Sequence, residues 1–241
     1  MLDIIVYKLK NLIFLEVFMK TNNFIHKIFL YKKFISVIML MYIFTTLYAN
    51  QAMISQIVGK VEVSKNENKW FVVSVGTVLN SEDKIRVIGE KSRCVLILEN
   101  GSSVQIVGDT EVILEKLLYN ETKIKLEKGR VRAKVSKLKQ GEIFEVNTPV
   151  AVAAVRGTDL GVEYKNGVTL VEVYEGEVEV KEFQTGQSVF VKEGEQTNVL
   201  INNAPAQPSS IPQENLDKKI QEEIQTQNEE KRQEILSEAQ R

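Results

Sequence analysis

Residues 129–135 read Gly-Arg-Val-Arg-Ala-Lys-Val, and this stretch decides the fold. Val131, Ala133 and Val135 alternate with Arg132 and Lys134, a period of two that places the apolar set on a buried face and the charges in water. The same Gly-charged-Val-charged start recurs at Gly59-Lys-Val-Glu and Gly176-Glu-Val-Glu. The intervals of 70 and 47 residues share no period, so shared turn-into-strand chemistry is expected rather than a repeat array. Working outward, Val61 and Val63 flank Glu62, while Val178 and Val180 alternate with Glu177 and Glu179. This grammar runs from residue 56 to 201 and predicts an antiparallel, all-β sandwich or roll of jelly-roll type. Asn100-Gly101 and Asn166-Gly167 predict two hairpins with type I′ turns, whose two central residues take positive φ. Gly76, Gly89, Gly108, Gly129, Gly176, Gly186 and Gly194 read as further turns.

The flanks differ in composition. Residues 1–50 carry six lysines against Asp3 and Glu16, and Lys27, Lys32 and Lys33 precede a 14-residue apolar run from Phe34 to Leu47. Small residues follow at Ala49 and Ala52. This pattern predicts a secretory signal cleaved near those alanines, and hence a periplasmic or secreted protein. The same run also reads as an uncleaved anchor, through which alone a membrane would be engaged. Met19-Lys20 makes a more ordinary start than Met1, leaving residues 1–18 as an extension. At the other end, residues 202–213 form a Pro/Gln/Ser linker, and residues 214–241 are expected to be a charged helix. In that helix Leu216, Ile220 and Ile224 line one stripe, and Glu214 pairs with Lys218.

Several chemistries are disfavoured at once. The net charge of −1 has no concentrated basic region, so nucleic acid is a poor partner. His26, the only histidine, lies in the targeting segment, so mature protein lacks Ser-His or Cys-His pairs and has few ways to hold zinc. No cofactor or metal is implied. Cys94 sits in the apolar run Cys-Val-Leu-Ile-Leu and is expected to be an inert core residue. A glycan hydrolase built on carboxylates needs two acids suitably placed, and Glu172, Glu175, Glu177 and Glu179 are the available ones. Alternation puts Glu177 and Glu179 on a solvated strand face instead. Trp70, beside Phe71, Val72 and Val73, reads as a core anchor.

A series of landmarks resembles the FecR domain family. They run from Gly59-Lys-Val-Glu-Val through Gly76-Thr-Val-Leu, Asp83-Lys-Ile-Arg and Ser92-Arg-Cys-Val-Leu-Ile-Leu to Leu126-Glu-Lys-Gly-Arg-Val. Phe144-Glu-Val-Asn-Thr-Pro leading into Ala151-Val-Ala-Ala-Val-Arg-Gly-Thr is the most specific block, and Val171-Glu-Val-Tyr-Glu-Gly-Glu-Val closes the series. The resemblance implies an exported β module. In the best-known members that module belongs to an inner-membrane regulator of a sigma factor. Here at most 33 residues precede the apolar run, and a linker and helix follow the β module. The expectation is therefore a non-enzymatic envelope protein that binds protein or cell-wall glycan. An accessory role in sigma-factor signalling is the alternative. Arg156, Gly157 and Thr158 are the candidate signature. Arg156 either grips a carboxylate or phosphate, or pairs structurally with an acid such as Asp159 or Asp83, with Gly157 permitting a tight bend.

Overall fold

The computed structural model describes residues 51–65 and 69–214; the expected signal segment and most of the charged tail lie outside them. The described elements are strands β1 (Ala52–Ser64), β2 (Phe71–Val72), β3 (Val78–Leu79), β4 (Lys84–Leu98), β5 (Ser103–Leu118), β6 (Glu121–Lys134), β7 (Ile143–Asn147) and β8 (Ala151–Val155). They continue with β9 (Asp159–Lys165), β10 (Val168–Glu175), β11 (Glu177–Glu182), β12 (Ser188–Lys192), β13 (Glu195–Leu200) and β14 (Ser209–Ser210). All fourteen join one sheet, antiparallel except for the parallel pair β6–β7. The strands pass the expected limits of 56–201 on both sides. The expected linker also contributes β14 and buries Pro205 and Ile211, with Ala206 N–H donating to Asn198 O at 2.9 Å. No described helix is long and apolar enough to cross a membrane.

Gly59, Gly89, Gly108 and Gly129 are not turns. Each sits inside a long strand with positive φ, and the pairings of β1, β4, β5 and β6 shift register beside them. A positive-φ glycine in a strand leaves one residue unpaired and bends the chain. Four such bends on adjacent strands crease the sheet into two arms. The first holds residues 52–58, 93–98, 103–107 and 129–134, continued by β9, β10, β13 and β14. The second holds residues 60–64, 84–88, 110–118 and 121–128, with β2 on one side and β7, β8, β11 and β12 on the other. Strand β6 forks the sheet, because residues 121–125 pair with β7 and residues 129–134 with β9. Both arms feed one apolar core, from Ile54, Leu96 and Ile106 to Val146, Val180 and Val191. Beyond the core, β12 lies beside β10 and β13, so the far ends of the arms meet.

The recurring Gly-x-Val-x start now has a common geometry. A Cβ on Gly129 would lie 2.2 Å from Thr110 Oγ1, and one on Gly59 would lie 2.1 Å from Ser92 Oγ. Those hydroxyls fill the gap left in the ladder. Thr110 Oγ1 accepts from Arg130 N–H at 3.0 Å and donates to Val107 O. Ser92 Oγ accepts from Lys60 N–H at 3.4 Å and donates to Ile88 O at 2.6 Å. At the third start Gly176 faces Thr158, whose Oγ1 donates to Glu177 O at 3.3 Å. Of the predicted hairpins, Asn166-Gly167 has positive φ at both residues. Asn100-Gly101 has it only at Gly101, because its loop holds three residues between the Leu98–Ser102 backbone bond. Asn100 Oδ1 accepts Ser102 N–H instead, closing an Asx turn.

Candidate binding surface

The block Arg156-Gly157-Thr158 leaves β8 and turns into β9. Thr158 is buried, and Gly157, at φ 77°, lies so close to the preceding loop that a Cβ would stand 3.0 Å from Lys137 Cα. Val135 N–H donates to Thr158 O at 2.9 Å and fixes that loop against the turn. Gly157 and Thr158 are thus framework. Arg156 is exposed, and it makes no ion pair or side-chain hydrogen bond among the described residues. The structural pairing expected for it is taken up elsewhere. Asp159 accepts Arg132 Nε at 2.9 Å and Nη2 at 2.7 Å, and Asp83 accepts Asn80 N–H at 2.9 Å. Beside the turn opens a cleft of about 240 Å³ whose lining includes Lys137 and Lys139, Glu99 and Glu142, Asn100 and the exposed ring of Tyr119.

Sequence reasoning missed the strongest polar cluster, on the outward face of β6, β9 and β10. Strand pairing sets Arg132 opposite Gly161 and Gly161 opposite Glu172. Gly161 has no side chain, so its neighbours converge over it. Arg130 Nη2 donates to Glu172 Oε2 at 2.7 Å and contacts Tyr174 Oη at 2.9 Å; Tyr174 Oη donates to Glu172 Oε2 at 3.0 Å. A Cβ on Gly161 would come within 3.1 Å of Tyr174 Oη. Glu172 is only 1 % exposed, and burial raises the Tyr174 hydroxyl pKa well above its usual range. The signal for this cluster, Glu172-Val-Tyr174 opposite Arg130-Val-Arg132, becomes visible only once the register is known.

On the second arm Glu62 accepts from Lys60 at 2.8 Å and from Arg86 Nε at 2.6 Å, and these two bonds lower its pKa. The Arg86 guanidinium lies 4.2 Å from the Trp70 ring centroid. Trp70 is therefore half-buried on the surface over a cation rather than in the core, and Phe71 and Val72 next to it are exposed. The carboxylates considered for hydrolysis do not form a site. Glu172 is locked to Arg130, Glu175 and Glu177 are exposed, and Glu179 points outward from β11. Cys94 is buried as expected, its thiol pushed up to about 12 by desolvation.

Residues 83–179, from β4 into β11, match the family described as FecR protein. No curated protein matches the chain. Two crystal structures of a proposed anti-sigma factor from Parabacteroides distasonis ATCC 8503, at 2.50 and 1.65 Å resolution, are similar to it. In each the TM-score is 0.46 with 21 % identity over 53 % of this chain, and the match spans 59 % of the other. The specific block Thr148–Thr158, the Gly129–Thr110 crease and the Arg132–Asp159 pair all fall inside the matched span. The similarity to the FecR protein family is thus carried by residues 83–179.

Proposed function

We propose that the chain is an exported, non-catalytic module of the bacterial envelope that binds a protein partner through the Arg156 turn. The observation that carries this reading is an exposed arginine fixed on a rigid turn, while the nearby acids Asp159 and Asp83 are committed to other groups. A planar guanidinium in that position is suited to a carboxylate on a partner. The adjoining cleft carries both signs, Lys137 and Lys139 beside Glu99 and Glu142, so the anion preference of this surface rests on Arg156. The non-catalytic reading is supported by how the buried carboxylates are held. Glu62 has its pKa lowered by Lys60 and Arg86, and Glu182 by the backbone amide of Thr185, with those of Asn202 and Gln184 adding to it. A general acid needs the opposite shift.

The FecR domain favours a second reading, an accessory to sigma-factor signalling across the membrane. Cell-wall glycan is the other partner class that the cleft and its tyrosine would suit. One pair of measurements tests the first reading. Arg156→Ala is expected to leave the melting curve unchanged, as an exposed residue contributes within about 0.5 kcal/mol. In crosslinking capture from envelope extracts, the same variant should lose the partner band held by the wild type. A large drop in melting temperature would return Arg156 to a structural role; capture that survives the substitution would remove it from the interface.

Export is tested separately. Sequencing the N-terminus of the mature protein should begin near residue 50 or 53, and retention of residues 34–47 in the membrane fraction would replace the cleaved signal with an anchor.

A further inference from the structure

The free side of β1 carries an apolar stripe that the core does not use. Beside the second-arm half of β1 lies β2, and in the six residues from Trp70 to Val75 the side chains of Phe71, Val72 and Val75 are 58, 70 and 57 % exposed. The chain then runs back along β1 towards its start, held by Val73 N–H to Val61 O at 3.2 Å and Gly76 N–H to Ile54 O at 2.8 Å. This brings Val78 opposite Met53, and both are exposed. Exposed apolar residues scattered singly are ordinary on a soluble surface. Five that follow one another along a single edge mark an interaction surface. Trp70 stands at the rim of the stripe, half-buried over the Arg86 guanidinium.

Two features choose the partner. Strand β2 is two residues long, and so short an edge offers too few backbone groups for another strand to add to it. The stripe is also bordered by cations. Lys60, Lys65 and Lys69 are exposed, and Lys65 Nζ lies on the stripe itself, donating to Val78 O at 3.2 Å. Of the acids beside them, Glu62 is buried and shared between Lys60 and Arg86, which leaves Glu67. Exposed apolar side chains flanked by lysines, with an indole at the rim, match the boundary between anionic headgroups and acyl chains. We propose that this edge docks on a membrane surface of anionic phospholipid, with Phe71, Val72 and Val75 at the acyl boundary and Lys65 and Lys69 on the phosphates. The contact is shallow, because the polar backbone of a sheet edge cannot enter hydrocarbon. It is independent of the Arg156 turn, which follows β8 on the other side of β6, and of whether residues 34–47 are cleaved or kept.

Trp70 is the only tryptophan in the chain, so its fluorescence reports this edge alone. The full chain is mixed with vesicles of phosphatidylglycerol and phosphatidylethanolamine that carry brominated acyl chains. Trp70 emission should shift to the blue and lose most of its intensity to the bromines. Phosphatidylcholine vesicles, or added salt, should weaken both effects, since the lysines act through screened charge. Val72→Asp with Val75→Asp should abolish the quenching, and Lys65→Glu with Lys69→Glu should reduce it. All four side chains are exposed, and an unchanged circular dichroism spectrum shows that the fold is kept. Unquenched Trp70 in the wild-type chain overturns the proposal, as does quenching that survives Val72→Asp with Val75→Asp. Equal quenching by phosphatidylcholine removes the anionic lipid from it. A blue shift that grows with protein concentration in the absence of lipid overturns it in favour of a second copy of the chain.

Discussion

Gly129→Ala is expected to destabilise the domain by about 2–5 kcal/mol, the sum of an overpacking cost and a positive-φ cost. The new Cβ would meet Thr110 Oγ1 at 2.2 Å and Thr110 Cα at 2.7 Å. Because the second of these atoms is backbone, a rotamer change cannot relieve the contact. Thr110→Ala should therefore rescue Gly129→Ala only in small part, and by itself it removes the hydroxyl that serves Arg130 N–H. Gly76→Ala supplies the control. Its φ of 87° is similar, but nothing stands within 4 Å of its Cβ position, so it isolates the conformational cost at roughly 1–2 kcal/mol. Thermal melts should separate the two variants, with Gly129→Ala lowered by roughly 4–20 °C for a domain of this size. Equal shifts for both would show that the close approach of β5 and β6 carries no cost.

Arg132 is the second site where one substitution should have a large effect. Its fork closes on both oxygens of Asp159, which is buried, and its guanidinium lies 5.4 Å from the Tyr174 ring centroid. Arg132→Ala leaves that carboxylate without its fork and is expected to cost about 3–5 kcal/mol. Arg132→Lys should recover little, since one ammonium cannot reproduce two parallel N–H bonds. The double variant Arg132→Met with Asp159→Leu should lose far less than either single truncation, because no charge is then left buried. Denaturant titration of the variants measures this directly. A double variant as unstable as Arg132→Ala would mean that packing, and not the ion pair, holds β6 to β9.

The contrast between Arg132 and Arg156 shows where the sequence stops being readable. Asp159 stands three residues from Arg156, which invites a local pair. The turn at Gly157 leaves Arg156 exposed at the end of β8 while Asp159 enters β9. Neighbours are instead set by register, which places Lys134 opposite Asp159 and Arg132 on its diagonal. The alternation in residues 129–135 was enough to assign strand, facing and charge. It could not reveal that Gly129 bends a continuing strand rather than starting one, because that depends on Thr110, nineteen residues earlier and on another strand. Cys94 could be assigned from its five-residue context alone. Trp70 could not: its apolar neighbours Phe71 and Val72 form a two-residue edge strand with little core to enter. The FecR landmarks were readable for the same reason as the alternation, being runs of local chemistry kept in order along the chain.

The crease also has a mechanical consequence. Strands β1, β4, β5 and β6 each pass through both arms without a break, so the arms share backbone rather than merely touching. A load applied to one arm travels to the other along covalent chain, where side-chain contacts alone would slip. Melting one half would leave four strands ending unpaired at the crease, and a tug at the Arg156 turn, between β8 and β9, reaches both arms through the fork in β6.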